Sequence, residues 1–188
     1  MSKIILDHAA PQRRLFLKGL AALPLGLSAA PLHAAKTERH LGFRHTHTEE
    51  RLHLAFRNHH GYIEPALKRM NWLLRDFRTG ESTRMDPRLY DMLHAISIAC
   101  GGDTFEIISG YRSPKTNNML RKTRGGGVAK RSLHMDGKAI DIRLVGVDTI
   151  RVRDAAIALD AGGVGYYPES DFVHIDTGPV RSWGPKKA

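Results

Sequence analysis

SLHMDGKAIDIRL, the sequence of residues 132–144, is the segment from which the fold of this chain can be predicted. Gly137 favours a turn, and after it apolar residues such as Ile140 and Ile142 alternate with small or charged ones. That period of two is typical of a β-strand with one buried face. The segment therefore predicts a turn followed by a core strand, with Asp141 on the face opposite to the two isoleucines.

Further strands and several helices are predicted on both sides of this core strand. Helical spacing of apolar residues, with Pro or Asp at the start and Gly after the end, predicts helices over 62–77, 86–100, 113–122 and 149–160. Alternation predicts strands over 105–110, 164–167 and 172–176, and a hairpin within 36–60 whose strands are 40–46 and 51–57. No repeat or linker interrupts residues 36–188. The pattern predicts one α+β domain with helices flanking a mainly antiparallel sheet.

The composition is that of a globular protein without a disulfide framework. The chain has 188 residues, of which 41% are hydrophobic and 26% are charged, so it has room for one domain and an extension. Its single cysteine, Cys100, excludes internal disulfides, a Cys-based zinc site and redox chemistry of the CxxC type. We interpret Cys100 as a small buried hydrophobe.

The first 35 residues have the layout of an export signal. The pair Arg13-Arg14 in RRLFLK precedes an apolar run that ends in small residues near Ala34. The run is shorter than the roughly 20 residues of a transmembrane helix, and prolines interrupt it. RRLFLK resembles the twin-arginine signal, so we predict that residues 1–35 are a twin-arginine signal peptide and that the protein is periplasmic. Cleavage after Ala34 or after Ala35 stays open.

Most of the positive charge of the chain lies outside the signal. The whole chain has 29 basic and 19 acidic residues, a net charge of +10, and residues 36–188 keep 25 and 18, a net charge of +7. A basic surface favours anionic partners. Because the protein is predicted to be exported, we expect murein or lipid headgroups rather than nucleic acid, and no stable membrane span once the signal is removed.

Three polar side chains stand out in the predicted sheet: His134 before the Gly137 turn, Asp141 in the core strand and His174 in the strand over 172–176. Taken singly, His134 could be a loop histidine, Asp141 could form an ion pair and His174 could be a buried structural histidine. Together they offer two imidazoles and one carboxylate, a set of three ligands that leaves a fourth position of a catalytic metal open. The histidines of residues 36–60 could also bind metal, but exposed strand and loop histidines are the commoner explanation.

The motif SxHxxGxAxD at 132–141, followed by DxxH at 171–174, resembles that of the D-alanyl-D-alanine metallopeptidases. These are murein-directed zinc enzymes that share a fold with hedgehog. The stretch Tyr62–Trp183, about two thirds of the chain, is most similar to the YcbK-type (MepK) murein endopeptidases. That similarity rests on the strings LLRDFRTGE, SGYRS, SLHMDGKAIDIRL, GGVGYYP and DFVHIDTG.

The resemblance implies a zinc endopeptidase that hydrolyses the peptide cross-links of peptidoglycan with a metal-activated water. It implies that Zn²⁺ is held by three side chains: His134, Asp141 and His174. The alternative is a zinc-containing module that binds murein without hydrolysis, since hedgehog keeps a similar zinc site in a protein that is not an established hydrolase.

The resemblance also implies two catalytic residues. Asp171 corresponds to the general base of the family, although many relatives have glutamate there, and Glu169 is a weaker alternative. Because residues three apart face opposite ways in a regular strand, Asp171 is expected before the strand or in a bend. Arg112 corresponds to an arginine that stabilises negative charge or holds the substrate.

Overall fold

The computed structural model describes residues 38–123 and 128–185, and the predicted signal peptide lies outside the described residues. The described part contains four α-helices and eight strands. The strands are β1 (Arg39–His45), β2 (Arg51–Asn58), β3 (Gly61–Tyr62), β4 (Thr104–Ser109), β5 (Ala139–Leu144), β6 (Gly163–Tyr167), β7 (Phe172–Asp176) and β8 (Arg181–Trp183). The helices are α1 (Glu64–Leu73), α2 (Arg88–Cys100), α3 (Pro114–Thr123) and α4 (Thr149–Ala158).

The strands form a single sheet in the order β3-β2-β1-β4-β5-β7-β6-β8. Strand β1 runs parallel to β4, and β6 runs parallel to β8. The other five neighbouring pairs of strands are antiparallel. The predicted fold class, α+β with a mainly antiparallel sheet and flanking helices, is confirmed.

Strand β5 is buried at the centre of this sheet. Ile140 and Ile142 are completely buried in the apolar core, and α2 and α4 contact β5 on that side. Asp141 therefore lies on the opposite face, as the alternation predicts. Helices α2 and α4 lie on the apolar face beside β5, and the other face near β5 is left for polar side chains.

The predicted hairpin is present, but one of its histidines is not exposed. Strands β1 and β2 pair antiparallel, and β1 joins them to the rest of the sheet through β4. His45, at the end of β1, is completely buried, and its Nδ1 accepts hydrogen bonds from the backbone N–H groups of His47 and Thr48. Burial lowers the pKa of His45 to about 4, so the ring is neutral. Its role in the hairpin turn is therefore structural.

Helix α1 is shorter than the predicted span of 62–77: it ends at Leu73, and Asp76 holds the turn that follows. The Asp76 carboxylate accepts hydrogen bonds from the backbone N–H groups of Arg78 at 3.0 Å and of Ser113 at 2.9 Å. Burial opposes the ionisation of Asp76, but hydrogen bonds from Thr116, Ser113 and Arg78 outweigh it and hold its pKa below the usual range. Asp76 thus ties the end of α1 to the start of α3.

Among residues 38–123 and 128–185, no helix is long and apolar enough to cross a membrane.

Candidate metal centre

Pairing between β5 and β7 brings two of the predicted site residues together. The two strands are antiparallel, and Asp141 lies directly opposite His174 in the register. Both side chains point away from the apolar face, because Ile140 and Ile175 occupy the neighbouring core positions. Opposed residues in such a pair have Cβ atoms about 5 Å apart, so their polar ends can meet.

His134 reaches the same place from a short 3-10 helix, Leu133–Asp136, immediately before β5. Gly137 ends that helix with a φ of 67°, in the left-handed region that glycine adopts most easily. A Cβ atom on Gly137 would lie only 2.6 Å from the carbonyl oxygen of Arg84. The motif therefore requires glycine at this position for two reasons: the turn needs a positive φ, and there is no room for a side chain.

The three side chains converge on one point. Asp141 Oδ1 lies 3.2 Å from His134 Nε2 and 2.8 Å from His174 Nδ1, and the two ring nitrogens are 3.2 Å apart. Within residues 38–123 and 128–185, these three form the one group of histidine, cysteine or acidic residues whose donor atoms are close enough to hold a metal ion. None of the histidines of β1 and β2 belongs to such a group.

The second nitrogen of each ring has its own hydrogen-bond acceptor. His134 Nδ1 lies 2.7 Å from the carbonyl oxygen of Gly110, to which it donates. His174 Nε2 lies 3.1 Å from Asp176 Oδ2 and donates to that carboxylate. Such outer partners fix the orientation of a metal-binding histidine and direct the lone pair of its other nitrogen at the metal. Here those directed nitrogens are His134 Nε2 and His174 Nδ1.

Asp176 is a site residue that the sequence analysis did not identify. It is completely buried, and its carboxylate accepts hydrogen bonds from the backbone N–H groups of Gly163 and Gly178 and from the guanidinium of Arg181. Burial opposes its ionisation, but hydrogen bonds from His174 and Arg181 hold its pKa far below the usual range. The signal was present in the sequence, because residues two apart in a strand share a face and Asp176 follows His174 by two.

The site holds an ionised carboxylate between two imidazoles of different character. Burial lowers the pKa of His134, which favours the neutral ring. Burial also opposes the ionisation of Asp141, but the neighbouring His134 and His174 keep its pKa well below the usual range. Burial lowers the pKa of His174, yet hydrogen bonds to Asp141 and Asp176 outweigh that effect and raise it. A cation that binds at this site would therefore displace a proton from His174.

Arg112 lies at the edge of this cluster. Its Nη2 is 3.6 Å from Asp141 Oδ2 and 3.4 Å from Ser109 Oγ, and its backbone N–H donates to the carbonyl of His134 at 3.2 Å. The Arg112 side chain is 13% exposed, so it reaches the cleft without being a surface ion pair. The structure thus brings Arg112 together with the three candidate ligands.

A cavity of about 290 Å³ opens over the cluster, lined by Arg112 and all three candidate ligands. Its far side is aromatic. The ring of Trp183 lies 5.2 Å from that of His174, and its Nε1 donates to the Tyr167 hydroxyl at 2.9 Å. Gly165 makes room for this indole, because a Cβ atom there would lie 2.5 Å from the Trp183 ring. The cavity therefore has polar groups on one side and flat apolar rings on the other.

Asp171 lies beside the site but is not directed into it. It precedes β7 with a φ of 49°, which agrees with the expectation of a bend. Its Oδ1 accepts a hydrogen bond from the Thr149 hydroxyl at 3.0 Å, and its Oδ2 is 3.5 Å from Arg143 Nε. Asp171 does not line the cavity over the cluster, and neither does the exposed Glu169.

The fold and the cluster together define a class of protein. An α+β domain whose central sheet presents two imidazoles and a carboxylate, with a cleft above them, has the donor set and the open side of a catalytic metal centre. Each ring is held by an outer acceptor, as metal-binding histidines usually are. The chain is thus of the metallohydrolase type in its architecture.

Comparison with known proteins assigns the family within that class. The profile of Peptidase M15_2, described as Peptidoglycan L,D-endopeptidase MepK, matches residues 33–183, and the chain belongs to this peptidase family. Membership confirms the resemblance, confirms that the protein is an enzyme of a metallopeptidase family, and implies a metal.

Two relatives are similar over nearly their whole length. The probable peptidoglycan L,D-endopeptidase MepK of Haemophilus influenzae is 43% identical over 171 residues, which cover 87% of this chain and 91% of the relative. The peptidoglycan L,D-endopeptidase MepK of Escherichia coli K12 is 40% identical over 178 residues, which cover 93% of this chain and 97% of the relative. No solved structure matches the chain significantly.

Proposed function

We propose that the protein is a zinc-dependent endopeptidase that hydrolyses the peptide cross-links of peptidoglycan, and that His134, Asp141 and His174 hold the zinc. The relatives are named for L,D-bonds in peptidoglycan, and we extend that bond class to this chain. Amide bonds that join two diaminopimelates are our candidate substrate. The observation that carries the proposal is the triangle of three donor atoms beneath an open cleft.

The triangle is slightly smaller than the triangle of ligands in a zinc site. Ligands about 2.0–2.1 Å from a tetrahedral zinc lie about 3.3 Å from one another. The three separations among His134 Nε2, Asp141 Oδ1 and His174 Nδ1 are 2.8–3.2 Å, so a small outward movement of the side chains admits the ion. Two nitrogens and one carboxylate oxygen also suit zinc better than calcium or magnesium, which prefer oxygen ligands.

A bound zinc would polarise the scissile carbonyl and lower the pKa of a bound water towards about 7. The remaining work falls to the protein. Arg112 places a positive charge at the edge of the cluster, where the carbonyl oxygen becomes negative as water adds to the amide. The Tyr167 and Trp183 rings give the substrate an apolar surface, and the outer partners of the two histidines keep the rings in place.

Asp171 is our proposed general base, and this role demands a movement. To take a proton from water at the metal centre, its carboxylate must leave the Thr149 hydroxyl and turn towards the cleft. The Asp171 side chain is 61% exposed, so little packing opposes that rotation. Catalytic hydrogen bonds are often formed only with substrate bound, and we expect the contact between Asp171 and the water to form at that stage.

We further propose that the protein acts in the periplasm and is exported by the twin-arginine route through residues 1–35. Peptidoglycan lies outside the inner membrane, so a peptidase acting on it must be exported. The net charge of +7 on residues 36–188 favours contact with a substrate rich in carboxylates.

Digestion of purified sacculi by the zinc-loaded protein tests the function, and Asp171→Asn tests the base. The wild type is expected to release shorter peptides without cutting the glycan. Asp171→Asn is expected to keep fold and zinc, because asparagine tolerates the positive φ of 49° and accepts the same bond from Thr149. It should lose about 10²–10⁴-fold in rate, because an amide cannot accept the proton.

Glu169→Gln is the matched control, since it removes a neighbouring exposed carboxylate and should leave the rate unchanged. If Asp171→Asn cuts normally and Glu169→Gln does not, the base is Glu169. If the wild type with zinc binds sacculi and releases no peptide, the protein is a binding module and the proposed activity is wrong.

The buried Asp176 makes a separate prediction about the metal. All groups around the Asp176 carboxylate are hydrogen-bond donors. Asp176→Asn therefore introduces an amide N–H that has no acceptor, and it weakens the hydrogen bond that orients His174. Loss of such an outer partner typically lowers metal affinity about 10–100-fold. Competition with a zinc chelator measures the change, and the exposed Asp154→Asn serves as control. Equal affinities in both variants and the wild type would refute the positioning role.

A further inference from the structure

A second cavity, of about 180 Å³, adjoins the one over the metal centre. The two cavities share Arg112, Asp141 and Phe172 as lining residues, so the cleft continues past the cluster in two directions. The first arm contains the aromatic rings described above. The second arm is lined by Arg78 and His47, which the proposed mechanism does not use.

Arg78 is held in place within this second arm. Its guanidinium carbon lies 4.1 Å from the centre of the Phe77 ring, a cation–π contact. Its backbone N–H donates to the buried carboxylate of Asp76, which fixes the chain at that point. The ring of His47 stacks on Phe77 with 4.0 Å between ring centres. The Arg78 side chain is thus positioned before any ligand binds, which lowers the cost of ordering it on binding.

The charge of Arg78 is not balanced locally. Among residues 38–123 and 128–185, no carboxylate lies within ion-pair distance of its guanidinium. Arg181, which lines the first cavity, is by contrast paired with Asp176. Burial and the positive charge of Arg78 lower the pKa of His47, so the neighbouring imidazole adds no charge of its own at neutral pH.

We infer that Arg78 in the second arm binds a carboxylate of the substrate. This carboxylate lies on one side of the scissile amide, and the part of the substrate on the other side of the amide occupies the first arm. This inference rests on the proposed function and extends it to the recognition of the substrate. A guanidinium binds a carboxylate through two parallel hydrogen bonds, which gives both affinity and orientation. The stem peptides of murein carry several carboxylates, so an unpaired, ordered arginine in the cleft selects them over uncharged peptides.

The test compares two substrates and two arginine variants. The probe is a cross-linked muropeptide dimer with its scissile amide reduced to an amine, so that it binds without being cut, prepared with free carboxylates and with the carboxylates amidated. Both proteins are loaded with zinc, and Arg78→Gln is expected to bind the free form of the probe about tenfold more weakly than the wild type does. That factor corresponds to the loss of one charge-assisted hydrogen bond. The amidated probe should bind both proteins equally, because it offers nothing to the guanidinium.

Arg69→Gln is the matched control, since Arg69 is exposed on α1 and lines neither cavity. It removes the same charge and should leave binding of both probes unchanged. Equal binding of the free probe by the wild type and Arg78→Gln would overturn the inference. So would an equal loss on the free and the amidated probe, because the effect would not depend on the carboxylate.

Cleavage of the ordinary dimer separates this inference from the proposed function. If the wild type does not cut it, the proposed activity fails, yet the binding comparison still decides whether Arg78 recognises a carboxylate. If the wild type cuts it, Arg78→Gln should raise KM about tenfold and leave kcat within about threefold, because the contact orients the substrate and does not touch the reacting atoms.

Discussion

His174→Ala is expected to eliminate both zinc binding and hydrolysis. The wild-type protein should retain about one zinc per chain after dialysis, and the variant should retain none. His174 Nδ1 is one corner of the donor triangle, so the substitution leaves only two ligands. It also removes the hydrogen bond from His174 Nε2 to Asp176. Since loss of an outer partner alone costs about 10–100-fold in metal affinity, loss of a ligand should cost more. Elemental analysis and a chelator competition measure the change.

His59→Ala is the control for this experiment. It removes an exposed histidine from the histidine-rich hairpin segment, where zinc could bind adventitiously. It should leave the stoichiometry at one zinc and the rate unchanged. Full and tight zinc occupancy in His174→Ala would contradict the assignment of the ligands, and loss of zinc in His59→Ala would place the metal in the hairpin.

Arg112→Ala is expected to lower kcat about 10²–10³-fold while zinc is retained, the usual cost of removing one group that stabilises a developing oxyanion. Arg112 Nη2 is 3.6 Å from Asp141 Oδ2, but Arg112 is not itself a candidate ligand. The variant should therefore lose catalytic rate without losing zinc. Steady-state kinetics on a cross-linked muropeptide dimer, with zinc measured in the same samples, tests both parts.

Arg112→Lys distinguishes charge from structure in the same experiment. Lysine keeps the positive charge but lacks the planar fork of the guanidinium, so it should restore part of the lost rate. If Arg112→Ala keeps its rate, the arginine has no part in the chemistry. If Arg112→Ala loses zinc as well, its contact with Asp141 is structural and the catalytic role is not needed to explain the loss.

The order of the strands and helices could be predicted because the local signals are strong. The alternation in β5, the Gly101 end of α2 and the proline start of α3 all agree with the structure. The turn after α1 could not be predicted, because Asp76 in that turn contacts Ser113, a residue far away in the sequence. Strands β3 and β8 were missed since each has only two or three residues.

The cluster of His134, Asp141 and His174 was predicted from residue type and strand face, and the pairing of β5 with β7 explains why that reasoning brings the three together. The direction of the Asp171 side chain depends on a backbone conformation with positive φ, which alternation does not encode. The sequence could place Asp176 on the same strand face as His174, because it is the second residue after it. Nothing in the sequence reveals the Arg181 and glycine donors that surround it.

Zinc titration of the metal-free protein tests most directly whether these three side chains form a hydrolytic centre. Zinc is added in steps, and cleavage of a cross-linked muropeptide dimer to monomers is followed by mass spectrometry. We predict that the rate rises in proportion to zinc up to one equivalent per chain and then stays constant. Cleavage that persists in the metal-free protein, or an absence of monomers at one bound zinc per chain, would contradict the account.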